Sequence, residues 1–229
     1  MRRSLGVLAA GAVLMAAAPA TFGGWAVISV ENVPTQLEVG QPTPLTFMIL
    51  QHGREPLRGL KPTVTVTPEG ARRGEKVTAE AGRKAGQYVA TITPAAAGMV
   101  RISIDANWRH EARTELLPIP VVARVAQAPS GPEEFAVGRR LFVAKGCVSC
   151  HAKLDDPAIR AFRSVPVGPE LTGRTWPAEW LAAKLADPAQ VRGGAQGDLT
   201  MPDLDLTPSE IAALVAFLNR GAGTEVSSR

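Results

Sequence analysis

The chain has 229 residues, of which 45% are hydrophobic, and its mean hydropathy is +0.05. This composition provides enough apolar surface for one large or two small domains and excludes a chain that is disordered over most of its length. The formal net charge of +4 is small, and no basic cluster with interleaved aromatic residues is present, which argues against nucleic-acid binding.

Residues 1–20 have the layout of a secretory signal. Two arginines precede an apolar run over 5–17, and Ala18 and Ala20 stand as in an A-x-A cleavage site. The alternative is an uncleaved anchor, because the apolar stretch continued to residue 23 reaches the roughly 18 residues that a membrane span requires. We therefore expect an exported, periplasmic protein, either released by cleavage or anchored to the membrane by this segment.

The next part of the chain shows short runs that alternate apolar and polar residues and are bounded by proline and glycine. These runs are 63–67, 87–93, 99–106 and 116–125. Period-two runs at such intervals predict an antiparallel β-sandwich over 21–125. This part contains no cysteine, so no disulfide holds it together.

A stretch rich in proline, serine and glycine follows at 126–132 and is expected to be a linker. Beyond it the apolar period becomes helical, and helices are predicted at 133–146, 177–188 and 207–221. The sequence therefore predicts an all-α domain over 133–221, with a tail at 222–229. Because each side of the linker has its own periodicity, we expect two independently folding domains with few contacts between them.

The last predicted helix has the clearest boundaries. Thr207 is its expected N-cap, Pro208 its first residue, Glu210 completes a capping box, and Gly221 follows its end. The connections at 152–176 and 188–206 are long for so small a domain. A large prosthetic group would give these connections a surface to pack against.

Both cysteines of the chain lie in CVSCH at 147–151, a pattern with three possible uses. A structural zinc ion usually needs four protein ligands, and the other histidines, His52 and His110, belong to the β part. A thioredoxin-like dithiol would lie near a βαβ pattern, which is lacking here. The remaining use is covalent haem c attachment, in which Cys147 and Cys150 form thioether bonds to the vinyl groups and His151 ligates the iron.

Met201 is the candidate for the second axial ligand. It lies 50 residues beyond His151 and is followed by Pro202 in a polar loop, whereas a methionine that only fills a core would lie on an apolar helix face. A thioether opposite an imidazole raises the reduction potential of the haem. It also fills the position that oxygen or peroxide would need.

The residues from 133 to 221 resemble the class I c-type cytochromes. The resemblance rests on Gly138 and Phe142 ahead of CVSCH, VGPEL at 167–171, Trp180 and Leu181, Met201 and Pro202, and AFL at 216–218. It implies a cytochrome c fold in which the first and last helices cross closely, with Gly138 and Phe142 against Phe217 and Leu218. It also implies that the Pro169 carbonyl accepts a hydrogen bond from the His151 imidazole.

Three further residues, Arg174, Trp176 and Trp180, are candidates either for the haem edge or for ordinary packing. The β part more faintly resembles immunoglobulin-like periplasmic modules of the YtkA or FixH-associated kind, through QHGREPLRGLKPTVTV and GQYVATITPAAAGMVRISI. Four of its residues could be copper ligands, although a single histidine in a turn or strand is more often simply solvated: Met48, His52, Met99 and His110.

These observations predict an electron-transfer protein with one haem c and His/Met ligation, acting with redox partner proteins or as a subunit of an oxidoreductase and having no catalytic residues of its own. One alternative is a haem enzyme or gas or redox sensor in which the methionine ligand is labile. Another is a copper-handling or docking module with an accessory haem.

Overall fold

The computed structural model describes residues 25–108, 112–123, 134–162, 167–190 and 201–220. The expected signal or anchor at 1–20, the linker at 126–132, Gly221, the tail at 222–229 and the copper candidate His110 lie outside these residues. In the part that is described, no helix is long and apolar enough to cross a membrane.

The amino-terminal part forms two β-sheets. Its strands, in chain order, are β1 (Ala26–Val30), β2 (Leu37–Glu38), β3 (Thr43–Gln51), β4 (Glu55–Pro56), β5 (Thr63–Pro68), β6 (Glu75–Thr78), β7 (Glu80–Ala81), β8 (Gln87–Ile92), β9 (Gly98–Asp105), β10 (Arg113–Glu115) and β11 (Ile119–Val122). One sheet has the order β1-β3-β8-β7, with β4 beside β3, and the other has the order β2-β11-β9-β5-β6, with β10 beside β9.

The two sheets pack face to face over one hydrophobic core, so the predicted β-sandwich is present. Alternate residues of β3, namely Leu45, Phe47 and Ile49, are fully buried and belong to the same core as Ile102 and Ile104 of β9. The strand pairings are antiparallel except for that of β2 with β11, which is parallel. The prediction of a wholly antiparallel sandwich therefore missed this one pair at a sheet edge.

Three of the four alternating runs correspond closely to β5, β8 and β9. In the fourth, 116–125, the described residues up to 123 contain one strand, β11, and Pro118 and Pro120 cannot donate to a strand ladder. Strands β1 and β3 were not among the predicted runs. The alternation of β3 was detectable, but Pro42 beside it and Pro44 within it were interpreted only as punctuation between strands.

The carboxy-terminal part is helical, as predicted. It contains α1 (Glu134–Ala144), a single 3₁₀ turn (Cys147–Ser149), α2 (Ala178–Ala186) and α3 (Pro208–Asn219). The predicted capping box of α3 is formed: the Glu210 N–H donates to Thr207 Oγ1 at 3.3 Å, and the Thr207 N–H donates to Glu210 Oε2 at 2.9 Å.

Helices α1 and α3 cross in close contact. A Cβ atom on Gly138 would collide with the backbone carbonyl oxygen of Ala213 and would lie 2.7 Å from Cβ of Phe217. The rings of Phe142 and Phe217 lie beside this crossing with their centroids 5.5 Å apart. The close approach expected at Gly138 is thus present, because glycine alone leaves room for the backbone of α3.

The β-sandwich contacts the helical part mainly near the end of α1, and these contacts are few compared with those between α1 and α3. Ala144, at the end of α1, belongs to the core of the sandwich, and Val33 contacts both hydrophobic cores. Lys145 donates to the backbone carbonyl of Glu31 at 3.3 Å. The composition of a linker indicates where a boundary lies, but it carries no information on whether the two surfaces are complementary.

Candidate haem site

A cavity of about 720 Å³, here called the central cavity, lies where the helices meet the β-sandwich. Its size is within the roughly 300–1,000 Å³ of typical cofactor pockets. All five residues proposed from the sequence line it: Cys147, Cys150, His151, Pro169 and Met201. Folding thus brings together two thiols, an imidazole and a thioether that are up to 54 residues apart in the sequence.

The walls of the central cavity are largely apolar. Side chains from α1, α2, α3 and the segment before α2 form most of its lining: Phe142, Leu171, Trp176, Leu181, Leu185, Leu214 and Leu218. Two thiols beside an imidazole and a thioether, enclosed by apolar side chains, fit a covalently attached haem. The β-sandwich contributes part of the remaining wall through Trp25, Val27 and His52, which carried no sequence signal for a haem.

The backbone after α1 turns sharply, which brings the CVSCH residues to the cavity. Gly146 has φ of +82°, a left-handed conformation that favours glycine, and it ends the helix immediately before Cys147. The His151 N–H then donates to the Cys147 carbonyl at 2.9 Å. This compact turn is why three nearby residues of the sequence can all line one cavity.

The environment of the two thiols does not favour thiolate chemistry. Burial raises the pKa of Cys147 to about 12, with the neighbouring Cys150 contributing, and burial raises the pKa of Cys150 to about 11. Redox-active dithiols and thiolate ligands are instead found where the thiol pKa is lowered. The free thiols would therefore stay protonated near neutral pH.

The imidazole of His151 is oriented by a backbone carbonyl. Its Nδ1 atom lies 2.8 Å from the oxygen of Pro169, the partner that the resemblance implies. Burial lowers the pKa of His151, and the hydrogen bond to Pro169 acts in the opposite direction. With Nδ1–H donated to this carbonyl, the lone pair of Nε2 is available to a metal ion.

Gly168 is a site residue that the sequence analysis missed. A Cβ atom there would lie 2.5 Å from Cε1 and 2.7 Å from Nδ1 of the His151 ring. The Gly168 N–H also donates to the Cys150 carbonyl at 3.1 Å. The detectable signal was a glycine directly before Pro169, which the residues alone indicated only as a turn.

The haem-edge candidates Arg174, Trp176 and Trp180 also line the central cavity, and Trp180 is 37% exposed. The backbone of Trp176 is held by the last residue of α3, because Asn219 accepts from its N–H and donates to its carbonyl, both at 2.9 Å. Asn219 carried no sequence signal, since its partner is 43 residues away.

The structure does not bring the described copper candidates together. Met48 lies on β3 and Met99 on β9, which belong to different sheets, and His52 lies at the central cavity. Among the residues that the structure describes, no group of three or more His, Cys, Asp or Glu side chains could hold a metal ion.

Comparison with known protein families agrees with this geometry. Residues 133–218 match the family described as "Cytochrome C oxidase, cbb3-type, subunit III". The match supports a cytochrome c domain in this part of the chain. No curated protein gives a significant match.

Several solved structures are similar to part of the chain. The Lin-41 filamin domain has 10% identity and a TM-score of 0.32, with 42% of this chain and 93% of that chain covered. The ZirS C-terminal domain has 16% identity and a TM-score of 0.33, with 53% and 87% covered. Domains 4 and 5 of the S-layer protein SbsC have 20% identity and a TM-score of 0.28, with 42% and 51% covered. Similarities of this size carry no argument about function.

Proposed function

We propose that this protein is an exported c-type cytochrome that carries one covalently bound haem and transfers electrons. The observation that carries the proposal is the convergence of Cys147, Cys150, His151 and Met201 on one apolar cavity, within the residues that match the cytochrome family. The bound haem supplies a one-electron couple between ferric and ferrous iron.

Each residue of the site has a distinct part in this proposal. Cys147 and Cys150 would hold the haem through thioether bonds, and His151 and Met201 would supply the nitrogen and sulfur ligands of its iron. Pro169 holds the His151 ring in a fixed orientation and tautomer through the 2.8 Å contact. The apolar walls exclude water, so they favour the ferrous state, which carries one positive charge fewer.

The partners are redox proteins, and the protein works either as a free carrier or as a subunit of a larger oxidoreductase. The name of the matched family, an oxidase subunit, supports the second arrangement. The layout of residues 1–20 supports a periplasmic location, with this segment either removed or retained as a membrane anchor.

Covalent attachment is tested by acid-acetone extraction followed by a pyridine haemochrome spectrum. The denatured wild-type protein should keep its haem and give a c-type spectrum, and Cys147→Ser with Cys150→Ser should abolish attachment. Extractable haem in the wild type, or bound zinc without haem, would contradict the proposal.

The ligand role of Met201 is tested with Met201→Ala. The oxidised wild type should show the weak methionine-to-iron charge-transfer band in the near infrared, and the variant should lose it and bind carbon monoxide faster. Met99→Ala, an exposed position on β9, is the matched control and should behave as the wild type. Rapid carbon monoxide binding by the wild type would instead favour a haem enzyme or a gas sensor.

A further inference from the structure

The β-sandwich contacts the chain next to two of the proposed haem residues. One contact lies before Cys147 and the other lies after Met201. A Cβ atom on Gly146 would lie 2.5 Å from Cγ1 of Val27 and 2.9 Å from the carbonyl oxygen of Ile28, so β1 packs directly on the residue that precedes the first cysteine.

The second contact comes from the turn at 51–54, which joins β3 to β4. A Cβ atom on Gly53 would lie 3.2 Å from Cγ of Pro202 and 3.6 Å from Cγ2 of Val27. Pro202 directly follows the proposed ligand Met201. One methyl group of Val27 therefore faces Gly146, and the other faces Gly53.

The turn at 51–54 has a well-defined shape. The Arg54 N–H donates to the Gln51 carbonyl at 3.0 Å, and both central residues have positive φ, 51° at His52 and 72° at Gly53. This is the pattern of tight hairpin turns of type I′, whose geometry matches the twist of the flanking strands. The turn is thus held by the sandwich and presents Gly53 to Pro202.

The side chains beside this turn complete the wall of the central cavity. The rings of Trp25 and His52 meet edge to face with their centroids 5.6 Å apart, and both residues line the cavity. The His52 N–H donates to the Trp25 carbonyl at 3.0 Å, which ties the turn to the residue before β1.

We infer that the β-sandwich is part of the haem site, and that its turn at 51–54 is a positioning element that holds Met201 and Pro202 at the central cavity. The inference rests on the proposed function. A thioether ligand on a loop stays close to the iron only if the loop is held, because a free loop gains conformational entropy when it moves away. The packing of Gly53 on Pro202 provides such a restraint.

The experiment compares Gly53→Ala with Gly59→Ala in the full chain. Both glycines have nearly the same left-handed backbone, with φ of +72° and +71°, but a Cβ atom on Gly59 meets nothing within 4 Å. Both variants therefore carry the same backbone strain, and only Gly53→Ala presses on Pro202. The readouts are the near-infrared band and the rate at which the ferric protein binds cyanide.

Gly53→Ala should weaken the band and bind cyanide about tenfold faster than the wild type, the factor that an overpacking cost of about 1.4 kcal/mol produces. Gly59→Ala should match the wild type in both readouts. Equal behaviour of the two variants would overturn the inference while leaving covalent haem attachment, measured separately by haemochrome spectra, untouched. Absence of covalent haem from the wild type would overturn the proposed function and this inference together.

A second variant covers the case in which Gly53→Ala does not fold. Val27→Ala removes the methyl groups that face both Gly146 and Gly53, and it does so without introducing backbone strain. Like Gly53→Ala, it should bind cyanide faster than the wild type. A Val27→Ala protein that folds and binds cyanide at the wild-type rate would contradict the role of the sandwich.

Discussion

Lys145 and Glu210 form an ion pair of 2.8 Å in which the lysine side chain is only 4% exposed. Lys145 follows α1, Glu210 caps α3, and the same ammonium group donates to the Glu31 carbonyl after β1. One buried cation therefore joins two helices to the β-sandwich, two residues before Cys147.

Replacing Lys145 by methionine should lower the free energy of unfolding by about 3 kcal/mol. The substitution leaves the Glu210 carboxylate partly buried and without its cation. Denaturant titration of the haem-loaded protein measures this loss. Lys84→Met is the control, since the Lys84–Asp205 pair is 3.8 Å long with side chains 64% and 89% exposed, and should change stability little. Equal losses of unfolding free energy in the two variants would show that the burial of Lys145 does not strengthen its ion pair.

The same pair predicts how stability depends on pH. Burial acts to raise the pKa of Glu210, but hydrogen bonds from Lys145 and Thr207 outweigh it and hold the pKa below its ordinary value of 4.5. A carboxyl whose folded pKa is lowered stabilises the fold above its unfolded pKa, and this contribution is lost as the pH falls through the folded pKa. The unfolding free energy should therefore fall below about pH 4.5.

The Glu210→Gln variant should show a shallower loss of stability in this acidic range than the wild type. The slope should not vanish, because hydrogen bonds from Gly173 and Lys153 also hold the pKa of Asp155 below its ordinary value against the opposing effect of burial. Denaturant titrations at a series of pH values give the dependence of the unfolding free energy on pH. If this dependence is the same in Glu210→Gln as in the wild type, Glu210 does not contribute to it.

Helix propensity and tertiary packing predict changes of opposite sign in the stability of Gly138→Ala. Alanine in place of glycine in a helix normally stabilises by about 1 kcal/mol. Here the added Cβ would collide with the backbone of Ala213, and overpacking of this kind costs about 1–3 kcal/mol. Thermal unfolding followed by circular dichroism should show a lower midpoint, whereas a higher midpoint would mean that the helices do not cross as described.

Gly168→Ala should disturb the proposed proximal ligand, because the new Cβ presses on the His151 ring. Loss of the 2.8 Å contact to Pro169 makes the imidazole a weaker base, which stabilises ferric iron less and raises the reduction potential. Redox titration measures the shift. Gly173→Ala, where the new Cβ has open space, should leave the potential unchanged.

Trp25→Ala should shift the potential in the opposite direction. Trp25 forms part of the cavity wall, and its removal admits water, which favours the more highly charged ferric state. The potential should fall while the covalent haem content stays the same. A potential equal to that of the wild type would show that Trp25 does not shield the haem.

Several of the sequence signals for the candidate site are local. The spacing in CVSCH reflects the reach of two thiols and one imidazole, and the Thr207 capping box depends on residues three positions apart. Periodicity likewise indicated the sandwich and the three helices. Pro169 required a family resemblance, since its contact with His151 joins residues 18 positions apart and leaves no periodic trace.

The sequence by itself determined the chemistry that the chain offers to a haem and the two kinds of secondary structure on either side of 126–132. Only the tertiary structure decided that the sandwich closes the central cavity, that Gly53 packs on Pro202 and that Lys145 is buried between three elements. The reason is physical: such contacts depend on the complementary shape and charge of surfaces formed by distant segments, and each partner taken alone looks like an ordinary turn glycine or surface lysine.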